Sequence, residues 1–153
     1  NFAHTPFILN GQKYASIEGL WQMMKYPEPK KTNDPRNKIK SYPYKRSEVQ
    51  LLHGFEAKKA GDQANKINES ININWVSYQG IRFNYKDHSK GSVLHYQIIF
   101  DAIKAKIEQN PKVKKLLMKT KGLILKPDHH QGSNVPDSYK YFDILMKIRD
   151  LKE

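Results

Sequence analysis

Apolar residues recur at three- and four-residue spacing through much of this chain, and this constrains the fold more than any other feature. One such stripe, in residues 17–24, predicts a helix over 17–26. The longest stripe predicts a helix over 92–110, and two more helices are expected over 111–121 and 138–151. The spacing therefore favours a mainly α protein.

Turn and cap signals divide this helical pattern. An Asn-Gly pair at 10–11, between short apolar runs, predicts an N-terminal β-hairpin. A Ser-x-x-Gln pattern at 47–50 matches a capping box and predicts a helix that ends at Gly61. Residues 62–74 are polar and only weakly helical, and 123–125 are expected to form a short strand. We expect a compact, single-domain helical fold with an N-terminal hairpin and one or two short strands.

Composition narrows the function classes. The chain has no cysteine, which excludes disulfides, thiolate metal sites and a cysteine nucleophile. It lacks the glycine-rich patterns of dinucleotide and P-loop sites, and it lacks Gly-x-Ser-x-Gly. No apolar run approaches the roughly 18 residues of a membrane span, and no signal peptide is visible. A cytoplasmic protein is expected.

The charge indicates an anionic partner. Lys and Arg exceed Asp and Glu by 27 to 15, a net charge of +12, which attracts polyanions such as nucleic acid. The proline-rich segment 27–46 is basic, and we expect Lys30, Lys31 and Arg36 to contact phosphates. The alternative, a lysine-rich surface that only keeps the chain in solution, stays open.

The first predicted helix carries the most unusual set of side chains. Glu18, Trp21 and Lys25 follow one another at helical spacing and lie on or near one face. A carboxylate, an aromatic ring and an amine on one stripe could form a site. Glu18 and Lys25 could equally complement the two ends of the helix dipole.

A second candidate is the acid and histidine cluster Asp128-His129-His130. Its Asp could line a pocket, or the loop could be simply solvated. A zinc site is the third reading, although adjacent histidines rarely point at one metal and no His-Glu-x-x-His pattern supports it.

Beyond these features, the chain resembles the NADAR family of N-glycosidases over nearly its whole length. The blocks that carry the resemblance are, in chain order, Asn1-Phe2-x-x-x-Pro6-Phe7; Leu9-x-Gly11-x-x-Tyr14-x-Ser16-x-Glu18-Gly19; Gln22-x-x-Lys25; Ala57-Lys58-x-x-Gly61; Trp75; Ala105-Lys106; Gln109-Asn110-Pro111; Leu116-Leu117-x-x-Thr120; Leu125-x-x-Asp128; and Leu145-Met146-x-x-Arg149.

The resemblance implies a compact, mainly helical enzyme that acts on N-glycosides related to NAD and ADP-ribose. It implies that Glu18 is the key catalytic acid, with Lys25 as its partner and Asp128 as a further catalytic residue of the pocket. Substrate contacts are implied for Asn1, Phe2, Trp21, Gln22, Lys58 and Trp75.

The chain departs from one branch of that family. The branch that hydrolyses riboflavin-pathway intermediates has Trp-Gly soon after the Asp, where this chain has Gln131-Gly132. That branch also has Asn-x-Leu-Gly before the final Leu-Met, and more often a His at the position of Gly19. The chain is therefore more similar to the branch that removes ADP-ribose from guanine.

The function predicted from the sequence is hydrolysis of the bond between ADP-ribose and a base, with removal of ADP-ribose from guanine in nucleic acid. The alternatives are an N-glycosidase for phosphoribosylamino-pyrimidines and a non-catalytic ADP-ribose binding module. The expected protein is a monomer of one domain over residues 1–153, with no cofactor, no metal and no membrane partner.

Overall fold

The computed structural model describes residues 3–29, 33–86, 90–127 and 137–151. The elements are β1 (Phe7–Leu9), β2 (Gln12–Tyr14), α1 (Ile17–Met23), a 3-10 helix (Pro35–Lys38), α2 (Arg46–Val49), α3 (Gly54–Ser70), β3 (Val76–Tyr78), β4 (Ile81–Phe83), α4 (Lys90–Gln109), α5 (Pro111–Lys119), a second 3-10 helix (Asp137–Tyr139) and α6 (Tyr141–Leu151). The prediction of a mainly helical fold with an N-terminal hairpin is confirmed.

The chain divides into two compact units, Asn1–Asn84 and Tyr85–Glu153. A single domain over the whole chain stays a prediction.

Both antiparallel hairpins turn on two residues with positive φ. β1 and β2 are joined by Asn10 and Gly11, with φ of 50° and 76°. β3 and β4 are joined by Gln79 and Gly80, with φ of 50° and 79°. Such turns match the right-handed twist of the strands. The sequence indicated only an extended stretch around Gly80, because glutamine is uncommon at positive φ.

Helix α1 is the centre of the first unit. All seven of its residues are buried, and it packs against β2, α2 and α3. The facing side of α3 carries Ala57, Ala60 and Ala64, each fully buried. Alanines let the two helices approach closely, so even the polar residues of α1 are enclosed.

The single helix expected from Ser47 to Gly61 is wrong, because the structure has two helices there, α2 and α3. The capping box lies two residues earlier than expected, since the Glu48 carboxylate accepts the Lys45 N–H at 2.8 Å. Gly61 does not end a helix, because α3 runs through it to Ser70. The sequence of 62–70 is polar because several side chains there face solvent, while Gly61 lies against α1 and is kept small by that contact.

The second unit is built around α4, which packs against α5, α6 and the second 3-10 helix. His95 is 1% exposed, and its Nδ1 lies 2.7 Å from the Ser138 hydroxyl. Arg149 of α6 donates to the carbonyls of Thr120 and Leu123, both at 2.8 Å, just beyond the end of α5. A cation at this position complements the negative end of the helix dipole.

The strand expected at 123–125 is not present. No described strand pairs with this segment, and the Leu125 N–H donates to the sulfur of Met146 at 3.3 Å. Leu123 and Ile124 are 60% and 78% exposed. Without a pairing strand, an apolar run of this length does not form a sheet.

Candidate active site on helix α1

The start of α1 is held by Ser16. Its hydroxyl accepts the Gly19 N–H at 2.9 Å and donates to the Leu52 carbonyl at 2.9 Å. The first bond is the N-cap of α1, and it satisfies a free N–H of the first turn. The second ties the start of the helix to the segment between α2 and α3. These two hydrogen bonds of Ser16 therefore hold the backbone of the first turn, which carries Glu18, in place.

Glu18 is buried beside Gln22, one helical turn further along. The Gln22 Nε2 donates to the Glu18 Oε1 at 2.7 Å, and the two residues are 8% and 5% exposed. Burial raises the pKa of the Glu18 carboxyl, while the hydrogen bond from Gln22 and the positive charges of Lys25 and Lys58 oppose that rise. The result is a carboxyl that keeps its proton to higher pH than an exposed glutamate does.

Trp21 and Lys25 form a second pair on the same side of the helix. The Lys25 Nζ lies 5.1 Å from the centroid of the Trp21 ring, a cation–π distance. Both residues are nearly buried, at 6% and 5% exposure. An acid, an amine and an indole ring thus lie within two turns, as their spacing predicted. The helix expected over 17–26 ends three residues early, at Met23, so Lys25 lies two residues beyond α1. The Lys25 N–H still donates to the Gln22 carbonyl at 3.2 Å.

Gly61 makes the space that Gln22 occupies. A Cβ placed on Gly61 would lie 1.7 Å from the Gln22 Oε1 and 2.2 Å from its Cδ. Any larger residue at 61 would therefore displace the amide that holds Glu18. Among the described residues, the buried Gln22 Oε1 has no hydrogen-bond partner. The sequence predicted that Gln22 contacts the substrate. The structure adds a second role, because Gln22 donates a hydrogen bond to Glu18.

Gly19 is required for a similar reason. A Cβ on Gly19 would lie 2.5 Å from the Leu52 carbonyl oxygen and 3.1 Å from that of Val49. These are backbone atoms, so a side chain at 19 would push α1 away from the segment after α2. A histidine at this position, as in the riboflavin branch of the NADAR family, does not fit this packing.

The remaining predicted residues are placed less closely together. Lys58 is exposed on α3, and its charge reaches Glu18. Trp75 is half-buried, and its ring lies 4.6 Å from the Arg36 guanidinium and 4.5 Å from that of Arg82. The recorded ring contacts of Trp75 are thus with cations and not with α1.

Three predicted site residues cannot be placed against α1. Asn1, Phe2 and Asp128 lie outside the described residues.

Within the part of the chain that is described, no group of three or more His, Asp or Glu side chains could hold a metal ion. The described helices include none that is both long and apolar enough to cross a membrane.

The expectation that Arg36 contacts phosphate is wrong. Arg36 is fully buried, and its guanidinium pairs with Asp34 at 2.7 Å and donates to the Met24 carbonyl at 2.9 Å and to the Ser77 hydroxyl at 2.5 Å. Composition could not show this, because a buried and an exposed arginine look alike in a basic segment. The available signal was Asp34-Pro35, a common start for a short helix, in which Asp34 accepts the Arg36 N–H at 2.9 Å. Lys30 and Lys31 lie outside the described residues.

Comparison of the chain with family models, with curated proteins and with solved structures found no match.

Proposed function

We propose that this chain is an N-glycosidase that hydrolyses the bond between ADP-ribose and a base, and that it removes ADP-ribose from guanine in nucleic acid. The observation that carries the proposal is the buried pair of Glu18 and Gln22. Burying a carboxyl to 8% exposure costs free energy, and a helix with only a structural role gains nothing that offsets this cost. The raised pKa of Glu18 is the property that a general acid needs near neutral pH. The resemblance to the NADAR family points to the same residue.

Hydrolysis of a C1–N bond needs a proton for the leaving nitrogen and negative charge near the sugar carbon. In the proposed reaction the protonated Glu18 gives its proton to the leaving base as the C1–N bond breaks. The carboxylate that remains stabilises the oxocarbenium ion. Water then adds to C1 and returns a proton to Glu18, so the acid is regenerated.

Lys25 and Gln22 stabilise the ionised form of that acid. The Lys25 charge and the Gln22 hydrogen bond each favour the ionised carboxylate, which forms as the proton leaves. Trp21, which lies under the Lys25 amine, offers an indole ring for the base. A different route is attack of the Lys25 amine on C1: the bond from C1 to the base breaks, the base leaves with a proton, and the sugar ring opens to a Schiff base that water hydrolyses. Borohydride reduction during turnover would then link the sugar to Lys25, and direct hydrolysis predicts no such adduct.

The choice of a nucleic-acid substrate rests on charge. The net charge of +12 attracts a phosphate backbone, whereas a small riboflavin intermediate gains much less from it. The missing Trp-Gly after the Asp128 position supports the same choice.

The direct test supplies the protein with an oligonucleotide carrying ADP-ribosyl-guanine and, separately, with a phosphoribosylamino-pyrimidine. Mass spectrometry then follows the release of free ADP-ribose or free base. We expect release from the oligonucleotide, undiminished by EDTA, and at least about a hundredfold slower turnover by Glu18→Gln. Glu69→Gln, which removes an exposed carboxylate of α3, should leave the rate unchanged.

Three results would contradict the proposal in different ways. Binding of ADP-ribose without release from any substrate would indicate a binding module. Faster turnover of the pyrimidine would overturn the substrate choice. Full activity of a folded Glu18→Gln protein would remove Glu18 from the mechanism.

A further inference from the structure

A cavity of about 640 Å³ lies within the first unit, away from Glu18. Four tyrosines line it, and we call it the tyrosine cavity: Tyr14 and Tyr78 are buried, and Tyr42 and Tyr44 are half-buried. Its volume is within the range of roughly 300–1,000 Å³ typical of small-molecule sites. Four rings around one space favour a ligand with a flat, aromatic part.

The tyrosine cavity is separate from the candidate active site. Met23 of α1 lines it, whereas Glu18 and Lys25 do not. At about 100° per helical residue, Met23 lies about 140° around the helix axis from Glu18. The two sites therefore use different sides of the same helix.

The inner wall of the cavity is electrically balanced. The Glu28 carboxylate accepts the Gly80 N–H at 2.9 Å and lies 3.9 Å from the Arg46 guanidinium. Arg46 also donates to the carbonyls of Tyr26, at 2.9 Å, and Ser77, at 2.7 Å. Because Arg46 offsets the charge of Glu28, this wall does not repel an anionic ligand.

The outer wall presents fixed and neutral rings. The Tyr42 hydroxyl donates to the Asn68 Oδ1, and burial raises the pKa of Tyr42 to about 12. The Tyr44 ring makes a T-shaped contact with Tyr26, with 6.4 Å between centroids. A T-shaped contact uses at most one face of a ring, so this contact leaves Tyr44 a face for stacking.

Two cations lie beside these rings. Lys40 and Lys45 line the cavity and are exposed. Within the described ranges, no carboxylate forms an ion pair with either amine. The cavity thus combines aromatic faces with two amines that can take a phosphate.

We propose that the tyrosine cavity binds a nucleotide, with the base stacked on Tyr44 and the phosphate held by Lys40 and Lys45. The nucleotide is either free or part of a single strand. This site does not depend on the proposed hydrolysis at Glu18, since it shares none of the residues assigned to that reaction.

The first test measures binding of AMP by titration calorimetry to the wild-type chain and to two double variants. Lys40→Ala with Lys45→Ala should weaken AMP binding at least about tenfold. Lys59→Ala with Lys66→Ala removes the same charge from exposed positions of α3, and it should change binding less than about twofold. Equal weakening by both pairs would show that only the overall charge matters and would overturn the site.

The second test concerns the ring. Tyr44→Ala should weaken binding about tenfold, whereas Tyr44→Phe keeps the stacking face and should bind as the wild type does. Equal affinities of the alanine and phenylalanine variants would also overturn the proposal.

The last comparison separates the two sources of the nucleotide and the two sites. Similar affinity for AMP and for a single strand of about ten nucleotides indicates a free nucleotide, and tighter, salt-dependent binding of the strand indicates the strand. In both cases the Lys40 and Lys45 variant must bind more weakly, and Glu18→Gln must bind normally. Binding lost only in Glu18→Gln, or no binding of either probe, would show the inference to be wrong.

Discussion

Gly61→Ala should destabilise this protein, although the same change usually stabilises a helix. In an exposed helix interior, alanine is favoured over glycine by about 1 kcal/mol. Here the added Cβ would lie 1.7 Å from the Gln22 Oε1, 2.2 Å from its Cδ and 3.0 Å from its Cγ. Gln22 is 5% exposed, so its amide cannot move aside without giving up its bond to Glu18.

The magnitude follows from these contacts. Loss of the hydrogen bond to Glu18 costs about 1.5–3 kcal/mol if the carboxylate is charged, and overpacking costs about 1–3 kcal/mol. Against the gain of about 1 kcal/mol in helix propensity, we expect a net loss of about 1.5–5 kcal/mol. For a chain of this size that lowers the melting temperature by roughly 3–20 °C.

Urea unfolding followed by tryptophan fluorescence measures this change, because both tryptophans, Trp21 and Trp75, lie in the first unit. The matched control is Gly61→Ala in a Gln22→Ala background, where the amide is gone and the substitution should stabilise by about 1 kcal/mol. The sign of the effect should therefore reverse between the two backgrounds. Stabilisation in both backgrounds would refute the packing of Gln22 against Gly61.

Three further outcomes follow from the charges in the first unit. Because burial raises the pKa of Glu18, the unfolded chain ionises this carboxyl first, and stability is lost as pH rises through the folded pKa. At neutral pH, Glu18→Gln should therefore unfold at a higher urea concentration than the wild type, and well below pH 4.5 the two should unfold at the same concentration. Equal midpoints at neutral pH would contradict a raised pKa of Glu18. Lys58→Ala should raise the pKa of Glu18 further at low salt, as measured by carbon NMR of the carboxyl. Lys59→Ala, at the neighbouring position, should leave that pKa unchanged, and equal shifts from both variants would show that Lys58 does not act on Glu18. Arg36→Ala should lower the free energy of unfolding in urea by about 3–5 kcal/mol, because it leaves the buried Asp34 carboxylate unpaired. Arg82→Ala, which removes an exposed arginine, should lower it by about 1 kcal/mol or less, and similar losses in both variants would show that burial of Arg36 does not matter.

Local signals in the sequence were sufficient for much of the fold. Asn10-Gly11 determined the first hairpin, and Ser16 determined the start of α1, since a turn and a cap depend on neighbouring residues alone. Helical spacing placed Glu18 and Lys25 near one another for the same reason.

Only the tertiary structure decided which polar residues are buried. Arg36 is a surface cation by composition, yet Asp34 and Ser77, which lie 2 and 41 residues away, enclose it. Gly61 signals a helix end by type, yet α3 continues through it because Gln22 of α1 fills the space beside it. The pKa of Glu18 is likewise set by packing against α3. The contacts that Ser77 makes with Arg36 and Gln22 makes with Gly61 join residues far apart in the chain, and no local pattern contains them.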